Sequence, residues 1–401
     1  MERLERPIYL DHAATTPLHP AALEAMMPYL TASFGNPSAT YRLAREAADA
    51  VQEARATVAG VLGCRPNEVV FTSGGTESIN TAIKGVAFQQ KKARAGNHVV
   101  TTVVEHHAVL HACQYLERFG FDVTYVPVDR YGAVDPDDVA RAIGDRTVLV
   151  SVMTANNEIG TIEPIAEIAQ AVAERARALR KRIPLHTDAV QAPNSLRLDS
   201  LTRDVDLLSL AAHKFRGPKG MGVLYVRKGA PFLAQQNGGG QERQRRAGTE
   251  NVAGIVGTAV ALRLTQASVE TDAARMRALA HELRDRIAAA IPEAALNGHP
   301  DARLANNVSM SFEGADAQDL LQDLDEAGIA CSAGAACAGQ NIEPSHVLLA
   351  TGVSLERAIS TLRFSLGHDT TPEEIARAVA CLAPAVERSR AARRQAAALT
   401  A

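Results

Sequence analysis

An alternation between residues 68 and 226 narrows the folds open to this 401-residue chain. Short, β-branched apolar runs follow one another there, with helical patterns between them. EVVFT (68–72), HVVTTVV (98–104), 121–128, TVLVSVM (147–153), PLHTDAVQA (184–192), VDLLSL (205–210) and GVLYV (222–226) read as strands. The stretches 79–90, 108–120, 135–143 and 165–182 carry apolar positions at helical spacing. An earlier stretch, 41–62, does the same and stops at Gly63. Strands and helices taking turns predict an α/β fold, a mostly parallel sheet with helices on both faces.

In an open α/β sheet, ligands gather at the C-terminal ends of the strands, and here those ends carry polar residues. His213 and Lys214 open the turn after the strand at 205–210. A lysine beside a buried strand has its charge penalised, which suits a nucleophile or a Schiff base. Taken alone, it reads first as a solvated loop lysine. Asp188 and Gln191 lie on the neighbouring strand. A lysine for a Schiff base and an acid for a pyridinium nitrogen together suit pyridoxal phosphate, although Asp also caps turns. After EVVFT comes the turn 73–78, with Gly75 and Thr76, and then a helix. That order suits an anion at a helix start, or a simple Ser/Thr cap. It is no P-loop, because no GK[ST] follows. His106 and His107 end the strand at 98–104, and the residue pattern does not choose between them. Asn156 and Asn157 end the next, as a polar pocket or as a turn. The loop at 236–251, with Arg243, Arg245 and Arg246, is either a linker or a place to meet an anion.

Past residue 252 the pattern changes. A helical stretch runs over 252–286, followed by a strand at 307–312, a helix at 317–327, and a strand at 361–366 carrying Arg363. At 46% hydrophobic residues the chain can fill a large core and two domains. A net charge of −3 offers no general surface for nucleic acid or membrane. No leader is expected from the mixed acids and arginines of the opening residues, and no run is long and apolar enough to span a membrane. A soluble cytoplasmic protein is the expectation. The five cysteines are odd in number and form no CxxC, so neither a disulfide framework nor a metal site is expected. Two of them, Cys331 and Cys337, sit in a run of small residues at 328–345, a mobile loop or a tight turn.

In order, YLDHAATTP, TTVVEHHAVL, ANNEIGT, HTDAVQA, HKFRGPKG, RRAGTEN, EPSHVLLATG and RFSLGHDTTPEE give the chain its resemblance. It resembles the cysteine desulfurases, pyridoxal-phosphate enzymes of the class V aminotransferase fold. Within these it is similar to the nitrogen-fixation and housekeeping group with a long cysteine loop, which feeds iron–sulfur cluster assembly. The resemblance implies a large cofactor-binding domain, 13–262. A smaller α+β domain, 1–12 with 263–401, would carry the cysteine loop at about 331–345. It implies that Lys214 forms the Schiff base, that Asp188 pairs with the pyridine nitrogen and Gln191 with the ring oxygen. His106, rather than His107, stacks on the ring and shuttles protons as a catalytic residue. Gly75, Thr76 and His213 hold the phosphate. Thr249 reaches the phosphate of a second subunit, which implies a homodimer. Asn157 and Arg363 grip the carboxylate of L-cysteine. Cys337 takes the sulfur as a persulfide, alanine leaves, and an iron–sulfur scaffold or another acceptor protein follows. Two positions depart from the family pattern. Ala211 replaces a serine that often binds phosphate, and 333–338 lacks the hydroxyl neighbours usual around the cysteine. A selenocysteine lyase or another class V aminotransferase reaction is the alternative within the fold. A non-catalytic sulfur-pathway subunit is the alternative outside it.

Overall fold

The computed structural model describes residues 7–333, 337–338, 341–342 and 344–400, with the backbone alone at 337–338, 341–342, 397 and 399–400. Seven strands build the central sheet: β1 (Val69–Thr72), β2 (His98–Thr102), β3 (Asp122–Val126), β4 (Thr147–Ser151), β5 (Leu185–Asp188), β6 (Leu207–Ala211) and β7 (Gly222–Val226). Their spatial order is β1-β7-β6-β5-β4-β2-β3. All neighbours run parallel except β7, which is antiparallel to both β1 and β6. Every residue of β4, β5, β6 and β7 is buried. That double burial is why β4, β6 and β7 read as nearly unbroken apolar runs rather than as alternation, while β5 buries the polar His186, Thr187 and Asp188. Helices cover both faces, and two apolar clusters fill the spaces between, one around Leu208, Phe215 and Ile255, the other around Val70, Ile83 and Leu224.

A second, antiparallel sheet contains β8 (Ala295–Leu296), β9 (Asn307–Ser311), β10 (Ser332–Ala333) and β11 (Thr361–Ser365), in the order β10-β11-β9-β8. Its own apolar cluster includes Leu283, Phe312, Leu320, Phe364 and Leu382. Ile8 and Leu10 belong to that cluster, because Ile8 and Tyr9 pair in parallel with Ile329 and Ala330.

Two stretches differ from the sequence expectation. The helix expected over 252–286 is two helices, Val252–Ala267 and Val269–Ala290, bent by 69°. The break falls at Ser268, whose φ of −112° and ψ of 6° are non-helical and whose hydroxyl donates to Asp272 Oδ2 at 2.6 Å. Serine makes such local bonds in competition with the helix ladder. The polar loop at 236–251 is no linker. Glu242 is buried within it and forms a two-pronged ion pair with the buried Arg55, at 2.7 and 2.8 Å, while accepting the Phe71 N–H at 3.1 Å. Glu242, Arg243 and Gln244 take positive φ of 48°, 56° and 62° to reach it. No single helix among the described residues is long and apolar enough to cross a membrane.

Candidate active site

Parallel strands bring their C-terminal ends to one edge of the sheet. The residues following β2, β4, β5 and β6 therefore meet there, around a cavity of about 210 Å³. Gly75, Thr76, His106, Asn157, Asp188, Gln191, Ala211, His213, Lys214 and Arg363 all line it. The sequence placed these residues at separate strand ends, and the fold brings them together.

Lys214 ends the short 3₁₀ turn Ala212–Lys214 that follows β6. Its ammonium donates to the carbonyls of Ala13 at 2.5 Å and Ala14 at 2.7 Å. Burial, and then the Arg363 guanidinium, push its pKa down to about 8, against the pull of Asp11 and Asp188. Asp188, at the end of β5, is 5% exposed and accepts the Val190 N–H at 2.9 Å. Burial raises its pKa to about 6, opposed by that bond and by Lys214. Gln191 donates its amide to the same Ala13 carbonyl that Lys214 uses, at 3.1 Å. The sequence does not announce these backbone acceptors, since a carbonyl leaves no mark on residue type.

His106 caps the helix α1 (His107–Glu117), accepting the Ala108 N–H on Nδ1 at 3.0 Å. Desolvation in the cavity, then Lys214, push its pKa down to about 4, so the ring is neutral at pH 7. His107 does not line the cavity and instead stacks near His111 and His346. Of the two asparagines, Asn156 is fully buried and structural: it donates to Val104 O and accepts from the N–H groups of Glu158 and Ile159. Asn157 faces the cavity.

At the other end, the Gly74–Thr76 turn opens the helix Gly75–Lys92. A Cβ on Gly75 would stand 3.0 Å from Val190 and 3.2 Å from Ala211, so glycine is what lets the turn pack there. An adjoining recess of about 380 Å³ shares Gly75, Thr76 and His213 and adds Thr15, Ser73 and Lys219. Helix N–H groups and a lysine make this the anion-attracting end. His213 Nδ1 is bonded to Thr15 Oγ1 at 3.1 Å, and burial followed by Lys214 lowers its pKa to about 4. Ala211 brings no hydroxyl to this wall.

Arg363 is no solvated edge charge. It lies 7% exposed on β11, a strand paired on both sides. Its NH1 donates to Asn157 O at 3.0 Å and its NH2 to Asp11 Oδ1 at 2.8 Å. Its Nε is buried and has no hydrogen-bond partner among the described residues. Thr249 is exposed and lines a separate recess with Arg246 and Glu250, outside this cavity. Cys337 and Ala338 pair with Ile342 and Asn341 in a short hairpin. The side chain of Cys337, and the rest of the expected cysteine loop at 334–336, 339–340 and 343, lie outside the described residues. Cys331 is partly buried, and burial pushes its thiol up to about 12, far from thiolate character at neutral pH. No group of metal-ligating side chains is found among the described residues.

The aminotransferase class-V family model matches residues 8–378. The chain belongs to the class V aminotransferase family. Within it the chain groups with the cysteine desulfurases. Cysteine desulfurase IscS of Methanosarcina thermophila is 47% identical over 388 residues, covering 96% of this chain and 93% of that protein. The cysteine desulfurase IscS of a Clostridium botulinum strain is 48% identical over 374 residues, covering 93% and 92%. Among solved structures, a NifS-like protein superposes with a TM-score of 0.88 at 35% identity, covering 95% and 99%. SspA in complex with cysteine superposes at 0.77 and 36% identity, covering 90% and 98%. The family depends on pyridoxal 5′-phosphate, and this cavity fits that group. A buried acid with a raised pKa and an amine with a lowered one share the cavity, Ile79 and Met153 supply apolar wall, and a helix start lies at the anion end.

Proposed function

We propose that the chain is a cysteine desulfurase that converts L-cysteine to L-alanine and passes the sulfur through Cys337. The convergence of Lys214, Asp188 and Arg363 on one cavity carries this reading. Bound pyridoxal phosphate supplies an electron sink for the substrate's Cα. Asp188 holds a proton or a charge at the pyridine nitrogen, and Gln191 and His106 fix the ring's orientation. Gly75, Thr76 and His213 hold the phosphate. Lys214, once released from Ala13 and Ala14, is basic enough near pH 8 to take the Cα proton. Arg363 and Asn157 hold the carboxylate, a task suited to the guanidinium's two-pronged donors. Cys337, as thiolate, attacks the substrate sulfur. An S–S bond forms, the Cβ–S bond breaks, and the electrons of that bond stay on carbon, which takes up a proton and leaves as alanine.

Thr249, exposed and away from its own chain's cavity, reaches the phosphate end of a second subunit in a homodimer. The persulfide passes to an iron–sulfur scaffold or another acceptor in the cytoplasm. The chain divides into 13–262 and 1–12 with 263–401. The test is an absorbance spectrum of the purified protein followed by addition of L-cysteine. The expected result is a band near roughly 400 nm, as for a lysine-linked cofactor, with alanine and sulfur released in step. A band without alanine would move the activity to another class V reaction. In Cys337→Ala the band should remain while the persulfide disappears.

A further inference from the structure

One carboxylate near the site has no part in the roles above. Glu158 follows Asn157, and its Oε2 accepts the hydroxyl of Ser345. Ser345 is 3% exposed and caps the short helix His346–Ala350 by accepting the Leu348 N–H at 3.1 Å. Its hydroxyl is therefore used in both directions. The Glu158 backbone is held as well: its N–H donates to Asn156 Oδ1 at 2.8 Å, and its carbonyl accepts from Asn307 Nδ2 at 3.3 Å. Next door, His346 Nε2 lies 3.1 Å from the Glu105 carbonyl. The chain just after the cysteine segment is thus tied to the segments that follow β2 and β4, the same two that carry His106 and Asn157.

We infer that Glu158 is a positioning residue: through Ser345 it fixes the point from which Cys337 reaches the substrate. The inference rests on Cys337 as the sulfur acceptor. Cys337 is paired with Ile342, and Ser345 stands only three positions beyond that hairpin partner. Three extended residues span about 10 Å. A shift of Ser345 is therefore passed to Cys337 over a short tether, and misplacement of a reacting group by about 1 Å costs up to about 100-fold in rate.

The test compares the holoenzymes of wild type, Glu158→Ala, Glu158→Gln, Ser345→Ala and Ser345→Thr, with the Glu158→Ala/Ser345→Ala double variant. The readouts are the cofactor absorbance band, kcat and KM for alanine formation, and persulfide mass on Cys337. Glu158→Ala should keep the band and hold KM within roughly twofold while kcat and persulfide fall by about tenfold. Glu158→Gln, which keeps an acceptor oxygen, should recover most of that loss, as should Ser345→Thr relative to Ser345→Ala. The double variant should be no worse than the worse single one. Losses that add, a Gln variant as poor as the Ala variant, or a loss confined to KM or to the cofactor band would overturn the inference. If Glu158→Ala does not fold, the Gln variant and the Ser345 pair decide the matter alone. Wild type that forms no alanine would instead remove the desulfurase reading, and this is seen before any variant is compared.

Discussion

Arg363 uses two of its three guanidinium nitrogens inside the protein and leaves Nε buried and unpartnered among the described residues. A substrate carboxylate would meet the planar fork that only arginine offers. Arg363→Lys keeps the charge and loses the fork. KM for cysteine should rise by about tenfold or more, the worth of roughly one charge-assisted hydrogen bond, with the cofactor band unchanged. An unchanged KM would remove Arg363 from substrate binding. Asp188 is tested differently. Asp188→Asn leaves a group of the same shape that cannot hold the charge, so the band should remain while kcat falls by about 100-fold or more. Equal kcat in the two would show that the acid has no part in the chemistry.

Among the elements, the β6–β7 hairpin places Lys214, and it depends on close contact at its return. A Cβ on Gly222 would stand 2.5 Å from the Gly74 carbonyl and from Thr72 Oγ1. Gly222→Ala forces backbone apart, so it should lower stability by about 1–3 kcal/mol and weaken cofactor retention at the adjoining turn. Denaturant melts and dialysis against buffer would measure both; an unchanged midpoint would mean that the strands yield freely. In the 236–251 loop, Glu242→Ala takes from the buried Arg55 its two-pronged partner and leaves it only Glu250 at 3.9 Å and the Val69 carbonyl, which costs up to about 3–5 kcal/mol. A melt within error of wild type would show that the pair is not holding the loop. That ion pair also marks where the sequence stopped being legible. Most of the central strands could be read because they are buried on both faces, which is a property of consecutive residues. The partner of Glu242 lies 187 positions away, and nothing near it in the chain announces a buried arginine. The bend at Ser268 turned on a single hydroxyl. The cavity residues Lys214, Asp188 and Asn157 were legible as polar residues at strand ends, but the carbonyls of Ala13 and Ala14 were not.

The whole molecule carries opposed buried titrations. Burial raises Glu163 to about 8 and Glu158 to about 7, from an ordinary carboxyl value of 4.5. Burial lowers His186 to about 3, and His106 and His213 to about 4, from 6.5. The acids keep protons in the folded state that the unfolded chain has lost, so they erode stability as pH rises from 4.5 toward 8. The histidines refuse protons that the unfolded chain accepts, so they erode it as pH falls below 6.5. Thermal melts of the apoprotein should show a plateau between about pH 4.5 and 6.5, with a decline on either side. Glu163→Gln should flatten the alkaline decline; stability that climbs steadily from pH 6.5 to 8 would contradict the account. The distances along the chain matter in another way. Lys214 is held by carbonyls 200 and 201 positions before it, and Arg363 grips Asp11 across 352. On the ribosome, where domains emerge and fold from the N-terminus, the segment that closes around the lysine must wait through most of synthesis for its partners. A nascent chain can present the anion-attracting turn, the acid and the lysine long before Arg363 emerges, so the carboxylate-holding end of the site is the last part to be made.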